Sequence, residues 1–391
     1  RKSLNVVITR DLLNYFSKVI SVHPLADLTE KKRKFKESFF IANNINKTHT
    51  FYEFKSGNQN AIRILEPFLF FYYQIKMIRK LYKIIKNENI NFIKSGDLLY
   101  AGLISYLLSK LTNVKYFVRV GSNNNKIREV TKKPMQKKFY RFIFIEKFFE
   151  NLIIKNATHL FPANSDNLNF VKSYNHSNDK LTTIRYGPLI NDNHYIDPKK
   201  RKISIDEIIK IKEKNKLVIL CIARLEKEKL VEDVINVFKK LVKVKNDINL
   251  YIIGDGSLKY QLLKQINQNN LTDKAFIVSN KNQDWIYEML TITTLVISPH
   301  TGRALCEAAL AGSLIVAYDI DWQKEIIIHN QTGMLTEYKN IKQLFDFSKK
   351  IVLNKKHYQY LGVNLRKKAL ELLDKQKTIN DEIKVYNNFI K

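Results

Sequence analysis

Arg224 and Lys229 lie five residues apart, directly after the apolar run 217–223 (LVILCIA). Two cations on a strand-to-helix loop can share one diphosphate, the guanidinium as a bidentate fork and the ammonium as a point charge. A second apolar run, 250–253, ends in Gly254-Asp255-Gly256, a turn that can bring backbone close to a ligand. A third, 295–297, is broken by Ser298-Pro299-His300-Thr301-Gly302. Arg303 then opens a helix-forming segment that runs through Glu307 to Ala311, with Gly312 as its stop. The amides and positive dipole end at such a helix start attract phosphate; Gly302 admits a ligand closely and Arg303 adds a permanent cation. Glu307, one turn further in, suits neutral sugar hydroxyls better than phosphates. Beyond the next apolar run, 314–317, a loop carries Asp319, Asp321 and Glu325.

Other chemistries find less support. Asp319, Asp321 and Glu325 have a spacing that could hold a cation, but only three carboxylates and no histidine cluster are present. No G-x-S-x-G elbow occurs, and the eight histidines are scattered, which argues against Ser/His/Asp hydrolysis. No G-x-G-x-x-G opens a helix, which argues against nicotinamide and flavin enzymes. The plain alternative for Arg224 and Lys229 is surface charge, in a chain with 67 Lys and Arg residues.

These residues need a scaffold that collects loop ends, and the patterning supplies one. Apolar runs at 217–223, 250–253, 275–278, 295–297 and 314–317 alternate with helical segments such as 231–244, the signature of a parallel doubly wound sheet. The N-terminal half repeats the alternation. Strands are expected at 5–9, 19–22, 39–42, 50–54, 91–94, 115–120 and 158–162, with helices starting at 11–16 and over 64–85. Strand 115–120 ends in Gly121-Ser122-Asn123, so Arg119, Gly121 and Asn123 become candidates for the acceptor or cleft side. The segment 132–155 has helical spacing and interleaves cations with six aromatic rings. It fits a buried amphipathic helix with a basic edge, or a helix lying on an anionic bilayer. Polar sequence after Gly187-Pro188, running to Lys202, marks the interdomain boundary. The expected division is 1–190, 191–375 and a terminal helix at 376–391.

Length and composition agree with two ordinary domains: 391 residues, 45% of them hydrophobic. Cys221 and Cys306 both sit in apolar contexts, which suggests a reducing cytosol rather than a disulfide framework. No apolar run approaches the length of a membrane span. The formal net charge is +30, and residues 1–200 hold 35 Lys and Arg against 15 Asp and Glu. A basic N-terminal half points to an anionic partner: a membrane surface or a phosphate-bearing acceptor. Nucleic acid is disfavoured, because no recognised nucleic-acid module is present.

Taken in order, Arg224/Lys229, Gly254-Asp255-Gly256, Gly302/Glu307 and Glu325 resemble the nucleotide-sugar site of retaining glycosyltransferases of family 4, the group with the GT-B fold. The family's Gly-Arg-Leu and Lys-Gly are here Ala223-Arg224-Leu225 and Lys229-Leu230. Its Gly-Asp-Gly turn is intact, and its Glu-Ala helix ending in glycine is Glu307-Ala308 with Gly312. The first glutamate of the family's pair, eight residues before Glu307, is replaced by Pro299. The resemblance covers residues 217–335; the N-terminal half shares only the general pattern.

The resemblance implies an α/β GT-B chain, with two Rossmann-like doubly wound parallel-sheet domains facing a cleft and the last helix returning to the first domain. It implies a retaining, metal-independent transferase that needs no cofactor, since the nucleotide diphosphate sugar is a substrate. Arg224 and Lys229 would stabilise the departing diphosphate. His300, Asp321 and Glu325 could each take over from the missing glutamate; Glu325 is the choice, since it falls where the family also carries a glutamate after the following strand. Gly254, Asp255, Gly302, Arg303, Glu307 and Asp321 would hold the donor, with Glu307 on the ribose. The expected partners are that donor, a glycan or lipid-linked acceptor and an anionic membrane surface. The expected location is the cytoplasm or the inner face of the membrane. The alternative is a non-catalytic homologue serving as a binding or scaffold subunit.

Overall fold

The computed structural model describes residues 9–29, 38–56, 66–137, 139–174, 177–300 and 302–390. The chain divides into two compact units, Arg1–Ile184 with Ile379–Lys391, and Arg185–Thr378. The first break thus precedes residue 190. Residues 185–190 belong to the second unit because they pack there: Ile190 sits in its core, and Tyr195 donates to the Leu373 carbonyl at 2.8 Å beside Gly187.

In the first unit, β1 (Val19–His23), β2 (Phe40–Asn44) and β3 (His49–Phe54) form one sheet of order β1-β3-β2. β1 and β3 are parallel, but β2 runs antiparallel to β3. Only four residues join β2 to β3, too few for the crossover that a parallel pair requires. A second sheet holds β4 (Phe92–Ser95), β5 (Lys115–Val120) and β6 (His159–Pro162), all parallel. The terminal helix Lys375–Asn387 supplies Tyr386, whose ring meets Phe117 at 4.9 Å in this unit's core.

Two expectations change. The segment 132–155 is not one helix. Lys132, at φ 54°, ends the helix Asn124–Thr131, and a new helix begins only at Ile143 and runs to Asn156, with Pro134 inside the intervening loop. At 11–16 the chain makes a 3₁₀ turn, Thr9–Asp11, and then takes positive φ at Leu12, Leu13 and Asn14, which stops a helix. The strand expected at 5–9 and the basic loop at 31–36 fall outside the described residues, apart from Thr9.

The second unit is one sheet of six parallel strands: β7 (Leu217–Ile222), β8 (Ile248–Ile253), β9 (Ala275–Val278), β10 (Thr293–Ser298), β11 (Ile315–Tyr318) and β12 (Met334–Thr336). Their order is β12-β11-β10-β7-β8-β9. Burial on both faces explains the unbroken apolar runs. Val218 and Leu220 of β7 enter one core layer, while Ile219 and Cys221 enter the opposite one. After β9 the chain returns to lay β10 against the other side of β7. That reversal of strand order opens a crevice beyond the C-terminal ends of β7 and β10, where open α/β sheets bind ligands. Among the described residues no helix is long and apolar enough to cross a membrane.

Candidate functional site

The loops at the ends of β7, β8, β10 and β11 carry the residues singled out in the second unit. After β7, Arg224 stands exposed and pairs with Glu228 at 2.9 Å. Lys229 is half-buried. Burial, reinforced by the Arg224 charge, lowers its pKa below the ordinary lysine value, with Glu228 and Asp321 opposing. Leu230 takes φ 53°, the left-handed geometry that a glycine there would adopt without strain, and turns the chain into the helix Val231–Val244.

Gly254-Asp255-Gly256 serves a different contact from the expected one. The glycines admit neighbouring backbone: a Cβ on Gly254 would overlap the Ala223 carbonyl, and one on Gly256 the backbone of Leu225. Asp255 is exposed. The Lys259 ammonium at 2.8 Å and the Asn280 amide at 2.9 Å hold its carboxyl below the usual range.

After β10, His300 joins three loops. Its Nδ1 faces the Glu228 carbonyl of the β7 loop at 2.8 Å, and its Nε2 faces the Asp321 carboxylate of the β11 loop at 2.6 Å. Asp321 itself takes φ 52°. Gly302 meets nothing within 4 Å at its Cβ position, so the start of the helix Arg303–Leu310 is open on that side. Arg303 is 40% exposed at its side chain, and its Nε reaches the Glu307 carboxylate at 3.1 Å. The Glu307 side chain is only 2% exposed, and burial pushes its carboxyl up against the pull of Arg303.

Two residues that sequence reasoning missed hold this arrangement. Gln323, fully buried, donates to the carbonyls of Pro299 at 3.1 Å and Tyr318 at 2.9 Å, tying the ends of β10 and β11 together. Arg185 pairs with Glu325. A glutamine after a strand has no distinguishing pattern, and Arg185 lay in a stretch read as the approach to a boundary.

The structure therefore gathers Arg224, Lys229, His300, Arg303, Asp321 and Glu325 on loops of one sheet edge. Arg224, Lys229 and Arg303 lie around an open helix start, the two arginines paired with Glu228 and Glu307, and a helix start of this kind suits a phosphate-bearing leaving group. Among the described residues no three His, Cys, Asp or Glu side chains converge as a metal site. Arg119, Gly121 and Asn123 belong to the first unit. There Asn123 caps the helix Asn124–Thr131 by accepting from the Lys126 amide, Arg119 is half-buried, and the Gly121 Cβ position is open.

Parts of this chain are similar to known proteins. Residues 204–368 match the family described as Glycosyl transferases group 1. The chain is 22% identical over 178 residues to N-acetyl-alpha-D-glucosaminyl L-malate synthase of Bacillus anthracis, covering 44% of this chain and 46% of that protein. It is 24% identical over 170 residues to poly(ribitol-phosphate) alpha-N-acetylglucosaminyltransferase of Staphylococcus aureus (strain COL), covering 43% and 34%. These matches thus span less than half the length of either relative. Among solved structures, Anabaena HepE in complex with UDP and glucose superposes with a TM-score of 0.69 at 14% identity, over 96% of this chain and 100% of that one. The chain has the GT-B fold, and its residues 204–368 match the glycosyl transferases group 1.

Proposed function

We propose that this protein transfers a hexose-type sugar from a nucleotide diphosphate sugar to a glycan or lipid-linked acceptor, in cell-envelope polysaccharide synthesis. Transfer proceeds with retention, without a metal, at the cytoplasmic face of the membrane. The observation that carries the reading is the set of cations at the mouths of β7 and β10, within the segment that matches the group 1 family. When the glycosidic bond breaks, negative charge develops on the departing diphosphate. Arg224, Lys229 and the amides at Gly302–Arg303 stabilise it, the task a metal would otherwise perform. Donor identity takes support from HepE, solved with UDP and glucose, and acceptor class from the poly(ribitol-phosphate) transferase.

Titration calorimetry with UDP, followed by a hydrolysis screen over UDP-sugars, tests the proposal. Micromolar UDP binding with turnover of one sugar supports it. Pro299, which cannot contact a sugar as a glutamate does, favours a second reading, a non-catalytic binding subunit. UDP binding with no turnover of any donor would select that one.

A further inference from the structure

Lys132–Pro134, Arg141 and Phe142, with the start of the helix Ile143–Asn156, border an open surface depression of about 630 Å³. Lys132, Lys133, Arg141 and Lys147 line it. All four are exposed, and among the described residues none has a carboxylate partner. The acids of the adjoining helix face inward instead. Glu146 and Glu150 are fully buried and hold Arg128 at 2.7 and 2.8 Å. Glu146 also accepts the amides of Met135 and Gln136 at 3.0 and 2.9 Å, which pins the loop in place. Four like charges around one fixed depression repel one another, and an anion placed among them relieves that repulsion.

The rim is apolar. Phe142, Phe144 and Phe148 are 47%, 69% and 64% exposed. The helix Glu66–Asn87 touches the same loop through Phe70 and Phe139, 5.6 Å apart, and exposes Phe68, Phe71 and Tyr72. Bare aromatic rings beside unpaired cations are poorly placed in water. They match an anionic leaflet, where rings enter the headgroup region and Lys and Arg meet phosphate. We infer that the depression takes the phosphate of an anionic lipid headgroup, with Phe144 and Phe148 entering the bilayer interface beside it. This deepens the proposed function and rests on its placing the acceptor at a membrane.

Co-sedimentation with phosphatidylglycerol-containing and pure phosphatidylcholine vesicles tests the inference, with UDP titration run on every variant. Wild type binds the anionic vesicles, more weakly as salt rises. Each basic residue near an anionic surface contributes a factor of about five. Replacing Lys132, Lys133, Arg141 and Lys147 together by Gln therefore lowers vesicle affinity by roughly 600-fold and leaves UDP binding intact. Phe144→Ser with Phe148→Ser weakens vesicle binding at least about tenfold with every charge retained. Equal binding of wild type to both vesicle types, or wild-type affinity in the four-fold variant, overturns the inference. So does undiminished vesicle binding by the Phe variant with full competition by inorganic polyphosphate or an oligonucleotide, which assigns the depression to a soluble polyanion. Failure of wild type to bind UDP would sink the donor reading alone and leave the vesicle result standing.

Discussion

Gly254 and Ala223 pack backbone to backbone, with no room for a side chain between the β8 and β7 loops. Hydrogen bonds fasten the same seam. The Leu225 amide donates to the Asp255 carbonyl at 3.0 Å, and the Leu258 amide to the Leu225 carbonyl at 2.9 Å. The Gly-Asp-Gly turn is thus the floor on which the Arg224 loop rests.

Gly254→Ala should therefore destabilise the protein by about 2–4 kcal/mol, because a methyl group meets backbone that cannot move aside. Gly302→Ala, with open space at the same position, should stay within about 0.5 kcal/mol of wild type while weakening UDP binding. Urea denaturation of both variants, with UDP titration of the second, checks the pair. Equal stability of Gly254→Ala and wild type would show that the two loops separate freely.

Lys229 should make donor binding sensitive to alkaline pH. Burial and the Arg224 charge depress its pKa, so its ammonium deprotonates earlier than a free lysine as pH rises. A diphosphate binds the charged form, so UDP affinity falls as pH passes through that lowered value. Lys229→Arg keeps its charge and should flatten the decline; Lys229→Ala or Arg224→Ala should lose roughly 10²–10³-fold in turnover with little change in stability. A UDP affinity of wild type that stays level to the limit of the protein's stability would refute the assignment.

Glu307 predicts a pH dependence of stability with the opposite origin. Burial raises its carboxyl above the usual glutamate value, so between the two values the folded chain holds more protons than the unfolded one. Stability contributed at this site is present at low pH and is lost as pH rises through the raised value. Glu307→Gln removes that titration. Melting temperatures of wild type and variant, taken from acid to neutral pH, should converge or cross as pH rises. Parallel curves would mean that the carboxyl titrates normally, and a selective loss of UDP affinity would support its role on the ribose.

The second unit was the more legible half. Five of its six parallel strands carry unbroken apolar runs, the short β12 (Met334–Thr336) being too brief to show one, and Gly312 at φ +66° ends its helix as a glycine should. The first unit was harder because its decisive features are local. The φ 54° at Lys132 and the Arg128–Glu146–Glu150 network turn the first part of one apparently continuous amphipathic pattern, 132–155, into a loop, so that only Ile143–Asn156 is helical. The Gly-Asp-Gly turn was visible, but the partner of its close approach was not, since the Ala223 carbonyl comes from 31 residues earlier in the chain. Gln323 and Arg185 act through contacts that spacing does not encode.

The replacement for the missing glutamate gives the sharpest test. Pro299 offers no side-chain hydrogen bond, so another group must hold the transferred sugar if the protein is active. His300 is committed at both ring nitrogens, and Asp321 is one of its partners. Glu325 pairs with Arg185 at the same sheet edge, with 12% of its side chain exposed. Glu325→Ala should reduce transfer by roughly 10²–10³-fold, the cost of one lost electrostatic contact in the transition state, while UDP binds as before. Arg185→Ala should keep the carboxylate but loosen it, raising KM more than it lowers kcat. Glu325→Gln separates charge from shape: a loss as large as that of Ala assigns the role to the negative charge. Normal sugar transfer by Glu325→Ala would exclude this residue, and Asp321→Ala, which also frees His300, then becomes the decisive variant.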